Sequence, residues 1–159
     1  MSKLITNGLR HLGASVDNLT LDNAGRVFAS NNPMFTAYKN SGVAYGSTGT
    51  TIPLADARVN VGNHFNTSTS RFTAPVAGRY FISVSGYAET NPSSFELRKN
   101  GSRINYLFLG ISEGNTIWMT HAAAMVVSLN ANDYLELFLA TGSAGSANDS
   151  IFLSGYLLG

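Results

Sequence analysis

The side chains of this sequence that could do chemistry are first of all its carboxylates, which are few and scattered. The chain has nine Asp and Glu residues, and four of them fall near predicted loops: Glu89, Glu113, Asp133 and Asp149. Calcium takes about six to eight oxygen ligands, and glycoside hydrolysis needs two acids about 5 to 9.5 Å apart. No acids pair obviously in the sequence, so turn capping and solvation are the favoured roles. We therefore expect no cofactor, with calcium as the alternative that the pattern does not support.

Aromatic side chains could stack on the rings of sugars wherever they are exposed. The candidates are Trp118, Tyr45, Tyr87 and Tyr106. Aromatic residues in strands more often belong to a core or an interface, and Trp118 lies between two apolar residues. Tyr45 is the best candidate for a binding contact, because glycines surround it in a predicted loop.

The histidines and short motifs do not indicate catalysis. His11, His64 and His121 are isolated from one another in the sequence. His121 lies in an apolar run, where an interior or interface role is favoured over metal ligation, and packing is likewise favoured for His64. The sequence has no His-Glu-x-x-His zinc motif, no phosphate-binding loop and no dinucleotide fingerprint. We therefore predict that the chain is not an enzyme.

The composition excludes several classes of function. Only 12% of the 159 residues are charged, which is about half the usual share. The formal net charge is +1, and the absence of a basic stripe argues against nucleic-acid binding. The lack of cysteine excludes a disulfide framework. No apolar run approaches the ~18 residues of a membrane span, so we expect no membrane insertion, and the N-terminus predicts no signal peptide.

Residues 1–32 differ from the rest of the chain and are predicted to form an N-terminal stem or attachment segment. Apolar residues between positions 5 and 19 recur at heptad-like spacings, but residues of low helix propensity interrupt them. Residues 18–28 instead predict a strand, a turn and a strand, with Asp22, Asn23 and Gly25 in the turn. We favour an extended or β-rich stem over a helical one. Such a segment cannot build a core alone, so we expect it to dock on a partner or on symmetry mates.

From residue 33 to residue 159 the pattern is β throughout and predicts one head domain. Residues 62–85 predict two strands joined by a fixed corner, and in the second strand Tyr80, Ile82 and Val84 share one face. An Asn-Gly pair at position 100 is a strong hairpin signal. Further strands are predicted at residues 35–38, 116–129, 134–139 and 151–158. The second of these contains an alanine-rich run that could be helical, but its β-forming flanks favour a strand. Short strands at this cadence predict a sandwich or jelly roll.

Five motifs follow one another in the head segment: Val61–Asn66, Arg71–Phe81, Leu97–Gly101, Leu129–Leu137 and Leu153–Leu158. In this order and spacing, over residues 34–159, they resemble the globular head of complement one-q, of the tumour-necrosis-factor-like jelly-roll superfamily. Two positions depart from the family pattern. Asn132 stands where the family has the glycine of a Gly-Asp turn, although asparagine can also adopt a positive φ. Leu153 replaces the usual terminal aromatic residue.

The motif residues have physical roles of their own. Pro75 and Gly78 mark a turn whose φ values suit those residue types, and Phe72 and Tyr80 flank it as core anchors. Gly155 predicts either a close backbone approach or a bulge in the last strand. The proposed structural residues of the motifs are Phe65, Asn66, Phe72, Pro75, Gly78, Tyr80, Gly101 and Gly155.

The resemblance implies an all-β jelly-roll sandwich that forms a homotrimer, with the two termini of the chain near one end. It also implies the absence of catalysis, and ligand binding through apical loops or through grooves between protomers. The candidate receptor-binding residues are Tyr45, Glu113, Asn148 and Asp149, which all fall in predicted loops or at their edges.

The cadence of residues 19–27 resembles the short leaders of tailed-bacteriophage fibre proteins, notably marine ones. The leading hypothesis is therefore a virion protein, assembled in the host cytoplasm, whose stem binds other virion proteins. Its head would trimerise and bind a glycan or protein on the host surface. A capsid decoration or head-fibre protein with a purely structural role is the alternative. A glycan-cleaving tailspike is a third, less favoured hypothesis, and it would need a pair of acids in a groove.

Overall fold

The computed structural model describes residues 8–9, 12, 19–29, 31–39, 48–88, 93–110, 119–144 and 150–159. The chain divides into two compact units, Met1–Asn32 and Pro33–Gly159. All regular elements in the described residues are β-strands. Within this part of the chain, no helix has the length and hydropathy of a membrane span. The predicted all-β class is confirmed.

The first unit contains one small antiparallel sheet. Its strands are β1 (Gly8–Leu9), β2 (Leu19–Leu21) and β3 (Val27–Phe28), paired in that order. The turn between β2 and β3 closes because the Gly25 amide donates to the Asp22 carbonyl at 2.9 Å, with Gly25 at a φ of +78°. The predicted strand, turn and strand are confirmed, and the described residues of this unit take the β-rich alternative rather than the helical one.

The second unit contains two antiparallel sheets that form a sandwich. One has five strands in the order β12-β9-β14-β4-β6, and the other has the order β11-β10-β13-β8-β7, with β5 also paired to β13. The strands are β4 (Met34–Tyr38), β5 (Thr50–Thr51), β6 (Asp56–Val61), β7 (Phe65–Asn66), β8 (Arg71–Thr73), β9 (Gly78–Ala88), β10 (Ser93–Lys99), β11 (Ser102–Gly110), β12 (Met119–Leu129), β13 (Tyr134–Thr141) and β14 (Ile151–Leu157).

The core lies between the two sheets, where the alternating residues of each strand meet. Tyr80, Ile82 and Val84 are buried on β9, as their period of two predicts. Aromatic rings join the sheets. Phe35 of the five-stranded sheet stacks on Phe72 of the other sheet, with ring centroids 4.4 Å apart. Phe72 in turn meets the Tyr80 ring edge-on at 5.5 Å. This packing ties the corner between β8 and β9 into the core.

Two motif glycines lie close to neighbouring strands, and one of them is required for space. A Cβ on Gly155 would lie 2.6 Å from Ile82 Cδ1 and 2.8 Å from the Phe81 carbonyl oxygen, so the backbones approach closely at this point. Gly78 departs from the expectation of special turn φ values, because it is not among the residues with positive φ. Its Cβ would instead lie 2.6 Å from Leu157 Cδ1. That atom is the far end of a flexible side chain, which can shift, so the corner packs closely against the last strand without a strict requirement for glycine.

The hairpin turns follow the sequence signals. Asn100 and Gly101 have φ values of 52° and 78° between β10 and β11, and Asn132 has a φ of 71°. The predicted hairpin and the positive φ of Asn132 are confirmed. The structure adds strand β7 to the two strands expected in residues 62–85. Asn60 holds β7, since its side chain accepts from the Phe65 amide and donates to the Phe65 carbonyl, both at 2.9 Å.

Candidate functional site

The outward side of the five-stranded sheet carries two uncharged rows of side chains. Residues directly opposite one another on neighbouring strands share a face, so the strand register groups these rows. We call them the uncharged face, and it consists of Met34, Thr36, Val59, Val61, Phe81, Ser83, Ala124, Val126, Ser154 and Tyr156.

The uncharged face has a defined relief. One row crosses all five strands with large apolar side chains, among them Phe81 and Tyr156, whose rings are 5.5 Å apart. The next row has smaller side chains, with Ser154 and Ser83 at its centre. Val126, Tyr156 and Met34 are 55%, 42% and 41% exposed. Large exposed apolar areas on soluble proteins mark interaction sites, so this face can bind another apolar surface.

The outward side of the six-stranded sheet is charged. One cross-strand row joins Arg71, Glu136, Arg98 and Arg103 on four neighbouring strands, and Glu96 lies two residues before Arg98. We call these five residues the arginine–glutamate ladder. Arg71 Nε donates to Glu136 Oε2 at 2.9 Å, and Arg98 Nε donates to Glu96 Oε2 at the same distance.

The ladder buries its acids beneath its bases. The side chains of Glu96 and Glu136 are each 4% exposed, whereas that of Arg103 is 48% exposed. Each arginine also stacks over an aromatic ring. The guanidinium carbon of Arg98 lies 3.1 Å from the Phe138 ring centroid. The hydrogen bond to Glu136 raises the pKa of Arg71 above its ordinary value, so Arg71 stays charged. The ladder thus satisfies its buried carboxylates internally.

Sequence reasoning missed the ladder. Glu96 and Arg98 lie two positions apart in one predicted strand, so their side chains share a face. The other three ladder residues lie in other predicted strands: Arg71, Arg103 and Glu136. Only 12% of the residues are charged. The presence of five charged residues in predicted strands, and not in loops, was the sequence signal that could have indicated a charged surface on one sheet. Strand order, which the sequence does not state, decides that they meet.

The predicted receptor-binding residues Tyr45, Glu113, Asn148 and Asp149 all lie outside the described residues. Their role therefore stays a prediction. The same holds for Glu89 and Trp118, and for the side chains of Tyr87 and His121. Tyr106 is described and is 43% exposed, but Arg103 already covers its ring, with the guanidinium carbon 4.0 Å from the centroid.

Asp133 caps a turn, in agreement with the favoured interpretation of the loop acids. Its Oδ2 accepts from the Asn130 amide at 2.8 Å, and its Oδ1 accepts from the Asn100 side chain at 2.7 Å. These two hydrogen bonds, the one from Asn100 first, hold the pKa of Asp133 below its usual range. Within the described ranges, no three His, Asp or Glu side chains form a group that could hold a metal ion.

One short pattern departs from the expectation that the motifs of this sequence do not indicate catalysis. Residues 110–114 have the Gly-x-Ser-x-Gly spacing of a nucleophile elbow, with Ser112 at its centre. That elbow works on the strand-to-helix turn of an α/β-hydrolase sheet. Here Gly110 ends β11, an edge strand paired antiparallel to β10, and residues 111–118 lie outside the described part. The antiparallel context does not support a hydrolase.

Comparisons with known proteins agree with this architecture. The sequence profile of the C1q domain matches residues 34–158. The globular domain of zebrafish complement 1qA is similar at a TM-score of 0.64 and 18% identity, over 80% of this chain and 98% of that chain. The Eiger TNF of S. frugiperda is similar at a TM-score of 0.66 and 14% identity, over 81% and 94%. A search of curated proteins finds no significant match. The predicted jelly-roll fold is confirmed.

Proposed function

The chain belongs to the C1q domain family, and on this basis we propose that it is a non-enzymatic, homotrimeric virion protein that binds a receptor on the host surface. Domains of this family are generally non-enzymatic, typically form trimers and bind partners. The resemblance of residues 19–27 to the leaders of bacteriophage fibre proteins supports a tail fibre or spike. In that setting, residues 1–32 attach the head to other virion proteins.

The observation that carries the proposal is the uncharged face. A protomer alone leaves Val126, Tyr156 and Met34 about half exposed, and burial of such apolar area favours association. The face has no charge to pair with a charged partner, and every copy of the chain presents the same surface. A closed ring of copies can therefore cover it in all protomers at once. Three copies are the number typical of the family.

Receptor binding in this proposal belongs to the loops. The candidates are Tyr45, Glu113, Asn148 and Asp149, which combine an aromatic ring with hydrogen-bonding groups that suit a glycan or a protein surface. A trimer displays three copies of each site. Weak single sites then gain from simultaneous engagement, because the second and third contacts become intramolecular.

Light scattering during size-exclusion chromatography tests the trimer. We expect the full chain to have three times the mass of one 16.9 kDa chain. Tyr156→Asp places a carboxylate on the uncharged face and should give single chains. Tyr106→Asp is the matched control, because Tyr156 and Tyr106 are 42% and 43% exposed on opposite sheets. A monomeric wild-type protein, or dissociation by both variants alike, would count against the proposed interface.

Competition with infection tests receptor binding. The purified protein should bind host cells and lower infection, and Tyr45→Ala or Asp149→Ala should weaken both effects. Tyr106→Ala serves as the control for loss of an exposed tyrosine outside the loops. A trimer that neither binds host cells nor competes would contradict receptor binding and would favour the structural decoration role.

A further inference from the structure

The small sheet of the N-terminal unit has one aliphatic side. In β2, Leu19 and Leu21 point to the same side, because side chains alternate along a strand. Leu9 lies directly opposite Leu19, and Val27 lies directly opposite Leu21. The register therefore places four aliphatic side chains together, and we call them the aliphatic face: Leu9, Leu19, Leu21 and Val27.

The aliphatic face is exposed in the protomer. Its four side chains are between 38% and 63% exposed. A sheet that is apolar on one side is stable only when that side packs against another layer. The described strands of this unit form a single layer, so they bury the face only in part. Another surface is needed to cover it.

The two charged residues that the structure describes in this segment, Asp22 and Arg26, lie away from the aliphatic face. Asp22 Oδ2 and Arg26 Nε form an ion pair at 2.6 Å in the turn. The guanidinium carbon of Arg26 lies 5.9 Å from the Phe28 ring, and Phe28 shares the opposite side with Thr20. The aliphatic face is thus uncharged and complementary to a copy of itself.

We propose that the aliphatic faces of the three copies pack against one another, so that the N-terminal unit is a second self-association element. The inference rests on the proposed homotrimer, since associated heads would raise the local concentration of the segments. Effective concentrations of linked modules reach about the millimolar range. At such a concentration, even the weak affinity of a small apolar face is enough for association. Association with copies also leaves the opposite side, with Thr20 and Phe28, available for other virion proteins.

Cysteine cross-linking in the full chain tests the proposal, and the chain has no native cysteine to interfere. Leu19→Cys places a thiol on the aliphatic face. Thr20→Cys places one at the next position of the same strand, on the opposite side. With a short bismaleimide, we expect Leu19→Cys to give at least tenfold more cross-linked chains on a denaturing gel than Thr20→Cys.

A second pair of variants guards against a local folding defect. Val27→Cys should cross-link like Leu19→Cys, and Phe28→Cys should behave like Thr20→Cys. Light scattering on the same samples separates the two proposals. A trimeric mass with no preferential cross-linking at positions 19 and 27 would overturn this inference and leave the head interface intact. A monomeric mass without cross-linking would overturn both proposals. Cross-linking that persists in the Tyr156→Asp background would show that the N-terminal unit associates by itself.

Discussion

On the six-stranded sheet, outward positions carry arginines and glutamates that pair with one another, whereas the two rows of the uncharged face on the five-stranded sheet carry no charge. Both sheets obey the same alternation, with apolar residues toward the shared core. The two sheets differ in which groups contact the side chains on their outward sides. Glu96 and Glu136 find their partners within the same chain, whereas Phe81 and Tyr156 are left to be covered by another surface.

This difference shows how a chain with few charges can use them. Five of its charged residues form the ladder, where stacking on aromatic rings and hydrogen bonds to arginine make a self-contained surface. In the proposed homotrimer, the uncharged face would instead be buried by association with other copies of the chain.

The largest expected loss follows removal of the ring that joins the two sheets. Phe72 is fully buried and packs on Phe35 and Tyr80. Phe72→Ala should lower the free energy of unfolding by about 3–5 kcal/mol, because it removes buried apolar area and leaves a cavity. Urea unfolding measures this loss. Phe138→Ala, on the outward side of the six-stranded sheet, is the control and should cost less than half as much. Equal losses would contradict the placement of the shared core.

Much of the fold was predictable because local patterns fix it. Tyr80, Ile82 and Val84 alternate in a long strand, and Asn100-Gly101 fits a tight hairpin, so sequence alone located both elements. Strand β7 has only two residues, too few for a period to appear. The faces were not predictable, because Arg71, Glu136 and Arg98 come from distant parts of the chain and meet only through the strand order. The same holds for Phe81 and Tyr156.

A substitution within the arginine–glutamate ladder should destabilise that ladder and spare the uncharged face. Glu136→Gln removes the carboxylate that accepts from Arg71 and from Thr51, the latter at 3.0 Å. Hydrogen bonds to charged groups contribute about 1.5–3 kcal/mol each, so we expect a loss in that range by urea unfolding, with the oligomer unchanged. Asp56→Asn is the matched control. Its pair with Arg58 has a similar length of 2.9 Å, but both side chains are at least 36% exposed, so its loss should stay below about 1 kcal/mol. A larger loss from Asp56→Asn than from Glu136→Gln would reverse the comparison.

The arginine–glutamate ladder and the uncharged face should also differ in their response to salt. The Debye length falls from about 10 Å at 0.1 M salt to about 3 Å at 1 M, which screens ion pairs but not apolar contacts. Association through the uncharged face should therefore change its dissociation constant less than about threefold over this range, as measured by sedimentation velocity. Ser154→Asp should weaken association at low salt and recover part of it at 1 M, because salt screens the repulsion between the introduced carboxylates. Strong weakening of the wild-type oligomer by salt would show that charged residues hold it.

The smallest expected effect is a pH dependence of the stability of the fold, which arises at the turn between β12 and β13. The Asn100 side chain and the Asn130 amide hold the pKa of Asp133 below its ordinary value of 3.8. A carboxylate with a lowered pKa stabilises the folded state above the pKa of the unfolded chain, and this contribution is lost as the pH falls through the folded pKa. The unfolding midpoint of the wild type should therefore drop more steeply below about pH 4 than that of Asp133→Asn, which cannot titrate. The uncharged face contains no titratable carboxylate or histidine, so association of the folded protomers should not follow the same profile. Parallel acid profiles for wild type and Asp133→Asn would show that other groups govern the acid transition.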